Sequence, residues 1–308
     1  MSSNTSLESV FLTGGTGFLG GHLRNALASE GLDVTLLVRP ATDVQARPNE
    51  SVQRGDITAP ESFELGKTDA IVHLAGQTSI DAAIESPRTT WEINATGTLN
   101  VLEAARNADN ARFVCASTAS VYGPPESLPI AEDHPMYPAE PYGGSKAAAD
   151  RLVHAYHRTY ELETVTARIF NTFGPEQPTH NVVPAIIEQA LTSETVELGN
   201  LSPSRDFLYV EDTISALLAL LKGGESGEAY NVGRGEDTEI GELADLILEL
   251  IDRDVRLVST ADRQRDEGVE IPRHVSDPSK LRDLGWSPDY DLESGLGATI
   301  DAFGSKKS

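Results

Sequence analysis

The sequence has one cysteine, six lysines and no long apolar segment among its 308 residues. The lone cysteine, Cys115, excludes an internal disulfide and a cysteine-built metal site, so we expect no bound metal. The longest apolar runs fall far short of the ~20 residues that a helix needs to cross a bilayer. Residues 1–8 have neither the basic start nor the apolar centre of a secretory signal. These absences predict a cytoplasmic protein with no membrane partner.

Negative charge is in large excess. The 48 acidic residues outnumber the 24 lysines and arginines, which gives a formal net charge of −24. Because such a surface repels a phosphate backbone, we expect no nucleic-acid partner. Abundant carboxylate with little lysine is typical of a halophilic protein, since high salt screens the repulsion between like charges. An ordinary acidic surface is the alternative interpretation.

The first 170 residues alternate apolar strands with amphipathic helices. This alternation predicts an α/β fold of Rossmann type, in which a doubly wound parallel sheet lies between two layers of helices. Such sheets bind ligands beyond the carboxyl ends of their strands. The predicted strands are residues 10–13, 34–38, 70–74, 113–116 and 164–169, and the predicted helices include 20–29 and 98–107.

After Asn171, proline and glycine become more frequent and the predicted elements become shorter. The pattern predicts helices at 183–191, 210–221 and 240–251, with short strands at 196–198, 229–232 and 255–258. We therefore predict two domains: a dinucleotide-binding domain over residues 1–171, and a smaller mixed α/β substrate domain over residues 172–308. Some exchange of chain between the two is possible.

A glycine-rich loop follows the first predicted strand and opens the first helix. Gly14, Gly17 and Gly20 have the spacing that lets a backbone turn tightly and approach a pyrophosphate. The N–H groups and positive dipole of the helix N-terminus then favour binding of that anion. The loop predicts a dinucleotide site, with Phe18 and Leu19 of the same run beside the cofactor.

The end of the second predicted strand bears on which dinucleotide is bound. An acidic residue there accepts hydrogen bonds from the ribose 2′-hydroxyl of NAD, whereas an arginine accommodates the 2′-phosphate of NADP. This strand ends without a carboxylate, and Arg39 follows it. Arg39 therefore favours NADP over NAD, although a solvated guanidinium is the alternative.

Two further segments fit the same pocket. Asp56 and Ile57 are predicted to lie against the adenine. The predicted strand at 70–74 leads into a loop that lines the adenosine and nicotinamide side of the cofactor. The residues assigned to that side are Leu74, Ala75 and Gly76, whereas His73 alone is most simply a core histidine.

A hydroxyl, a phenol and an ammonium group form the predicted catalytic set. Tyr142 and Lys146 are four residues apart, so on a helix they share one face. The ammonium group and a positive nicotinamide are expected to lower the phenol pKa from ~10 toward neutrality. Tyr142 then becomes a general base for a sugar hydroxyl, which Thr118 at the end of a strand holds by a hydrogen bond.

Nine segments together resemble the NAD-dependent epimerase/dehydratase family of extended short-chain dehydrogenases/reductases, which acts on nucleotide sugars. They are residues 13–20, 73–76, 94–98, 117–123, 141–146, 168–171, 205–212, 230–233 and 284–288. The resemblance implies catalysis by Thr118, Tyr142 and Lys146, and it adds Asn94 to the cofactor site. It also implies a homodimer formed through helices near 89–107 and 147–160.

The same resemblance implies a site for the nucleotide sugar. Asn171, Arg205 and Arg265 are expected at its diphosphate, and Glu270 is expected to accept from its ribose. Two arginines suit a pyrophosphate, because a guanidinium can donate to two phosphate oxygens at once.

The residues after Thr118 bear on the reaction. Dehydratases of the family carry an acidic residue there, often an Asp-Glu pair, but this chain has Ala119 and Ser120. We therefore predict an epimerase similar to UDP-glucose 4-epimerase, which oxidises C4 of the sugar and reduces it again. An NADPH-dependent 4-ketosugar reductase, a 4,6-dehydratase and a non-catalytic nucleotide-binding regulator are the alternatives.

Overall fold

A parallel sheet forms the centre of the computed structural model, which describes residues 7–108, 111–260 and 270–305. The strands are β1 Ser9–Thr13, β2 Asp33–Val38, β3 Glu50–Arg54, β4 Ala70–His73, β5 Arg112–Thr118, β6 Thr164–Ile169, β7 Asn171–Phe173, β8 Thr195–Leu198, β9 Ser204–Arg205, β10 Phe207–Tyr209, β11 Ala229–Val232, β12 Thr238–Glu239, β13 Arg256–Ser259 and β14 Arg273–His274. The helices are α1 Phe18–Ser29, α2 Ile80–Glu85, α3 Pro87–Trp91, α4 Gly97–Asn107, α5 Pro141–Tyr160, α6 Val182–Thr192, α7 Val210–Gly223, α8 Ile240–Ile251, α9 Ser279–Arg282 and α10 Leu292–Ser305.

In the described residues the large sheet has seven strands in the order β11-β6-β5-β4-β1-β2-β3, all parallel. The predicted α/β class and doubly wound parallel sheet are confirmed. Each predicted strand and helix is present, with ends shifted by two residues or fewer. The prediction missed β3 because its sequence, ESVQR, is polar and partly exposed at the edge of the sheet.

Two apolar layers cover the faces of this sheet. On one face, Leu12 and Leu36 pack with Leu27 of α1 and Leu217 of α7. The other face has a separate apolar cluster, which includes Phe11, Ile71, Phe113, Leu102 of α4 and Val153 of α5. Because both faces are buried, the central strands are nearly continuous apolar runs, which is why the sequence predicted them well.

The chain after residue 171 contributes to the large sheet. β11 pairs in parallel with β6, from Ala229 beside Thr166 to Val232 beside Ile169. The remaining strands form small sheets: β10 with β7, β8 with β13, and β9 between β12 and β14. The division into domains at residue 171 remains a prediction. That prediction allowed for some exchange of chain between the domains, and β11, which follows residue 171, pairs with a strand that precedes it.

Cys115, His154 and His157 do not lie at the carboxyl ends of the sheet strands. Cys115 is buried in β5, and burial raises its pKa to about 11. His154 and His157 lie beside the turn before β11. The Nδ1 atom of His157 is also 3.0 Å from the carbonyl oxygen of Leu162, which precedes β6. Within the described ranges, no group of three or more His, Cys, Asp or Glu side chains could hold a metal ion. None of the helices in those ranges is long and apolar enough to cross a membrane.

Candidate active site

The glycine loop between β1 and α1 is packed against the loop that follows β4. Gly14 has a φ of +73°, which an L side chain rarely adopts. A Cβ atom on it would lie 2.6 Å from the Ala75 nitrogen, and a Cβ atom on Gly20 would collide with the Gly14 carbonyl oxygen. The first βα turn therefore has backbone contacts that only glycine permits, and the Leu74–Ala75 loop lies beside it as predicted.

The start of α1 suits a pyrophosphate. Gly17 precedes the helix without any side-chain capping hydrogen bond, while its own N–H donates to the Gly14 carbonyl oxygen at 3.0 Å. The N–H groups of the first turn, which includes Phe18 and Leu19, are therefore left for an anion. Together with the tight glycine contacts, these free donors fit the phosphates of a dinucleotide.

The ends of β2 and β3 place two arginines together. Arg39 is exposed just after β2. Arg54 ends β3, and its guanidinium donates to the carbonyl oxygens of Arg39 and Thr42. Two cations at this edge suit a phosphate group. Arg54 was missed by the sequence analysis because the polar strand that carries it was not predicted.

Asp56 and Ile57 lie in the turn after β3. The Asp56 carboxylate accepts hydrogen bonds from the Thr58 N–H at 2.9 Å and from the Thr58 hydroxyl at 2.8 Å. Ile57 is buried in the cluster that contains α4, and its carbonyl oxygen accepts from the Asn100 amide at 2.7 Å. The turn is thus fixed from both sides, and its predicted contact with the adenine stays a prediction.

A buried chain of hydrogen bonds lies beneath the two loops. Thr98 donates to the Asn94 carbonyl oxygen, so the His73 Nε2–H must donate to the Thr98 hydroxyl, 3.0 Å away. Nδ1 of His73 then accepts from Thr13 at 2.7 Å, and the Thr13 hydroxyl in turn accepts from the Ala75 N–H. Burial, and then the nearby Lys146 charge, lower the His73 pKa to about 3. His73 is neutral and joins β1, β4 and α4, consistent with its interpretation as a core histidine.

Asn94 links the loop after β4 to α5, the helix that contains Tyr142 and Lys146. It lies in a π-helical turn, Glu92–Thr96, a geometry that is frequent at functional sites. Its amide donates to the Gln77 carbonyl oxygen and to the Ser145 hydroxyl, each at 2.9 Å, and its oxygen accepts from the Gln77 N–H at 2.8 Å. Asn94 therefore fixes the loop that contains Gly76 against α5.

The predicted catalytic residues are close together. The Thr118 side chain lies near enough to the Tyr142 phenol to lower its pKa, and both residues are almost fully buried. The Lys146 ammonium group donates to the Ala116 carbonyl oxygen at 2.6 Å, and it lies 4.0 Å from where a Cβ atom on Gly76 would be. The Lys146 ammonium group thus lies beside the predicted dinucleotide loop at Gly76, on the strand that leads to Thr118.

The predicted fall in the Tyr142 pKa is not found in the chain by itself. Burial raises the pKa of Tyr142 to about 12, the bond to Thr118 lowers it, and the Glu140 charge raises it further. Lys146 is not among the groups that shift the Tyr142 pKa; its ammonium group is hydrogen-bonded to the Ala116 carbonyl oxygen, and burial lowers its own pKa. The predicted fall in the Tyr142 pKa depended on two positive charges, the Lys146 ammonium group and a bound nicotinamide, and the chain itself supplies only the first.

The start of α5 fixes the phenol against the end of β5. The Glu140 carboxylate caps the helix and accepts from the N–H groups of Tyr142 and Gly143 at 2.5 and 2.8 Å. A Cβ atom on Gly143 would lie 2.6 Å from the Ser120 carbonyl oxygen, so the helix can approach this closely only with glycine there. Glu140 was missed as a positioning residue, although a carboxylate before Pro-Tyr is a recognisable capping signal.

Two of the predicted substrate residues lie where β7 meets β10. The Asn171 backbone N–H donates to the Asp206 carbonyl oxygen at 3.0 Å, and Arg205 immediately precedes Asp206. The buried Asp206 carboxylate accepts from the N–H groups of Arg234, Gly235 and Ser276 at 2.7 to 3.1 Å. Asp206 therefore anchors the segment that carries Arg205, a role that the sequence analysis did not assign.

Of the last two predicted substrate residues, Glu270 and Arg265, only Glu270 lies in the part of the chain that the structure describes. The Glu270 carboxylate accepts from the Asn200 amide at 2.7 Å, so Glu270 is fixed beside the loop after β8. Arg265 lies outside the described residues.

The site can hold an alcohol between two hydroxyl groups and move its proton. Thr118 and Tyr142 supply those groups, and a nearby glycine-lined loop system fits a dinucleotide. This arrangement suits oxidation or reduction of a carbinol carbon. A family model described as GDP-mannose 4,6 dehydratase matches residues 11–299. The chain belongs to the NAD-dependent epimerase/dehydratase family of extended short-chain dehydrogenases/reductases.

Curated relatives in this family have different activities in their names. The low-salt glycan biosynthesis protein Agl12 of Haloferax volcanii is 32% identical over 96% of this chain and 98% of its own length. The GDP-6-deoxy-D-mannose reductase of Pseudomonas aeruginosa is 33% identical over 97% of this chain and 98% of its own length. Family membership therefore establishes an enzyme of the epimerase, dehydratase or reductase type, and leaves the choice among them open.

Solved structures of family members contain nicotinamide dinucleotides. RMD from Pseudomonas aeruginosa, complexed with NADPH, matches with a TM-score of 0.86 and 32% identity over 97% of this chain and 99% of its own. UDP-glucose 4-epimerase from Thermus thermophilus, complexed with NAD, matches with a TM-score of 0.86 and 30% identity over 96% and 99%. The predicted class of cofactor, NAD or NADP, is thereby confirmed.

Proposed function

We propose that this enzyme is a nucleotide-sugar 4-epimerase similar to UDP-glucose 4-epimerase. The observation that carries the proposal is the buried pair of neighbouring side chains, Tyr142 and Thr118, with no carboxylate at the two residues that follow the threonine. Ala119 is buried there and Ser120 is only partly exposed. Neither side chain can act as the acid or base of an elimination, so this end of β5 favours chemistry at a single carbon.

In this mechanism Tyr142 takes the proton of the sugar C4 hydroxyl and returns it after the ring has presented its other face. Thr118 holds the same hydroxyl during both steps. A bound nicotinamide supplies reversible hydride transfer at C4. Because burial keeps the Tyr142 pKa at about 12, forming the phenolate requires added positive charge in the loaded site. Lys146, one helical turn away, is the cation that the chain contributes.

The diphosphate of the substrate would lie near Asn171 and Arg205 in this proposal, with Arg265 as a second cation and Glu270 on the ribose side. Asp206 supports the arrangement because its four hydrogen bonds fix the backbone next to Arg205. A local positive group is needed here, since the protein as a whole has a net charge of −24 and repels anions.

Incubation with UDP-glucose or GDP-mannose, without added cofactor, tests the reaction. We expect conversion to an epimer with no net change in absorbance at 340 nm, because each oxidation is followed by reduction on the same enzyme. Stoichiometric consumption of NADPH with a 4-ketosugar would instead identify a reductase. Release of a 4-keto-6-deoxy sugar would identify a 4,6-dehydratase and contradict the inference from Ala119 and Ser120.

NADP is the proposed cofactor, because Arg39 and Arg54 lie at the edge where a 2′-phosphate is recognised. This preference is also the observation that favours the reductase alternative. We expect the substitution Arg39→Ala to weaken NADP binding about tenfold and to change NAD binding less than twofold, as loss of a charge-assisted hydrogen bond implies. Fluorescence titration measures both, with Arg256→Ala, exposed on β13, as the control. Tighter binding of NAD than of NADP by the wild type would contradict the preference.

A homodimer is also proposed, through the helices near 89–107 and 147–160. Trp91 and Tyr160 lie in these segments with 51% and 48% of their surface exposed. Large apolar groups at such exposure are consistent with a surface that a second copy covers.

A further inference from the structure

The connection from β2 to β3, residues 39–49, begins with Arg39, the residue proposed to meet the 2′-phosphate of NADP. The two strands are parallel, and such strands are usually joined through a helix, but residues 39–49 contain none. Ordering a segment of this kind costs conformational entropy that helical hydrogen bonds do not offset here. Contacts from outside the connection must therefore hold its course, and with it the position of Arg39.

Arg24 of α1 is bonded to the middle of this connection and to the residue at which it ends. The guanidinium donates to both carboxylate oxygens of Glu50, at 2.8 and 2.6 Å, and to the Gln45 carbonyl oxygen at 3.0 Å. The same carboxylate accepts from the Arg47 N–H at 2.7 Å, and the Arg47 guanidinium donates to the Gly21 carbonyl oxygen of α1 at 3.2 Å. The connection is thus tied to the helix whose N-terminus suits a pyrophosphate.

The pair formed by Arg24 and Glu50 is buried, with 8% and 2% of the two side chains exposed. Burial raises the Glu50 pKa, but the bonds from Arg24 and from the Arg47 N–H outweigh this effect and hold the pKa below its ordinary value. The carboxylate is therefore charged near pH 7. Replacing a buried ion pair by apolar residues is often neutral for stability, so the use of such a pair is to be sought in the arrangement of the chain that it fixes.

Arg24 can act on the cofactor only through this connection. It is 7% exposed and its guanidinium is turned to Glu50 and Gln45, whereas the side chain of Arg39 is exposed. Arg54 holds the start of the connection by donating to the Arg39 carbonyl oxygen. Arg54 and Arg24 are therefore two anchors of one segment, the first from a strand and the second from a helix. Donors that are held in place before a ligand arrives bind it more tightly, because less entropy is lost on binding.

We propose that Arg24 positions the connection that carries Arg39 and so determines the preference of the enzyme for NADP over NAD. Arg24 is a positioning residue, and contact with the 2′-phosphate is left to Arg39 and Arg54. NAD has a hydroxyl group in place of that phosphate, so its binding depends less on where the Arg39 guanidinium lies. This inference rests on the proposed NADP preference and adds the contact that maintains it.

Cofactor titration of Arg24→Met tests the positioning role. By fluorescence, we expect NADP to bind about fivefold more weakly than to the wild type, and NAD less than twofold more weakly. If methionine prevents folding, Arg24→Lys keeps a cation for Glu50 but loses the planar fork of donors, and it should weaken NADP selectively, by about threefold. Arg168→Met is the matched control, because it removes a similarly buried arginine outside this connection and should leave the ratio of the two dissociation constants unchanged. An unchanged ratio in the Arg24 variants, or an equal change in Arg168→Met, would overturn the proposal.

A double variant shows whether Arg24 acts through Arg39. In the Arg39→Ala background, adding Arg24→Met should weaken NADP less than twofold, because the group that Arg24 positions is already absent. A further fivefold loss in that background would mean that Arg24 acts by another route, and it would overturn the proposal. If the wild type binds NAD more tightly than NADP, the proposed cofactor preference fails and this inference fails with it. If the wild type prefers NADP and Arg24→Met keeps the same preference, only the positioning role is wrong.

Discussion

Replacing Tyr142 with phenylalanine lowers kcat about 10³-fold and changes the affinity for the nicotinamide dinucleotide less than twofold. The substitution removes the phenolic oxygen that bonds Thr118, and a positioned proton-transfer group contributes on the order of 10²–10⁴ to the rate. The ring itself should stay in place, because Glu140 holds the start of α5 through backbone N–H groups that the substitution leaves intact. Steady-state kinetics and cofactor titration measure the two effects separately.

Tyr160→Phe is the matched control for this variant. Tyr160 ends the same helix, is 48% exposed and lies far along α5 from the catalytic turn. We expect its kcat to equal that of the wild type. Turnover by Tyr142→Phe within tenfold of the wild type would mean that another group transfers the proton, and the role assigned to Tyr142 would be wrong.

The substitution Arg168→Met should lower the free energy of unfolding by about 3–5 kcal/mol, because it removes the buried cation of the Asp150 carboxylate and leaves that carboxylate paired only with the exposed Arg151. Arg168 and Asp150 are 2% and 3% exposed as side chains, and the guanidinium donates to both carboxylate oxygens at 2.9 and 3.1 Å. It also donates to the Tyr122 hydroxyl at 2.9 Å, which in turn bonds Asn231 of β11. In a chain of this size the loss corresponds to a fall in Tm of about 10 °C.

Arg151 offers a control that shares the same carboxylate. It also pairs with Asp150, at 3.0 Å, but its side chain is 59% exposed. Exposed ion pairs contribute between about 0 and 1 kcal/mol, so Arg151→Met should hardly change Tm. Calorimetry or circular dichroism measures both variants at one salt concentration. Equal shifts in Tm for Arg168→Met and Arg151→Met would contradict the inference that the Arg168–Asp150 pair stabilises the fold because it is buried.

Much of the fold was predictable because its central strands are buried on both faces. Such strands are uninterrupted apolar runs, as in residues 113–116, and the glycine loop marks the turn from β1 into α1. β3 was not predictable in this way, since a partly exposed edge strand needs few apolar residues. The pairing of β11 with β6 joins residues far apart in the chain, and no local pattern specifies such a partner.

The residues of the candidate catalytic set could be picked out of the sequence for a different reason. Tyr142 and Lys146 are separated by one helical turn, and their motif is local in sequence. Asp206 and Arg54 were missed because their significance arises from contacts across the structure: a carboxylate with four donors, and a second arginine beside Arg39. The raised pKa of Tyr142 in the chain alone was not anticipated, since the extent of burial cannot be read from the motif, and the predicted fall in the loaded site stays a prediction.

The strand Ala229–Val232 has a consequence for synthesis of the chain. Until those residues have left the ribosome, the outer edge of Thr164–Ile169 has no hydrogen-bonding neighbour, although every other strand of the large sheet has already been made. A nascent chain in that state exposes backbone donors and acceptors that can pair with other chains. The large sheet of this enzyme is therefore complete only after most of the polypeptide has been translated.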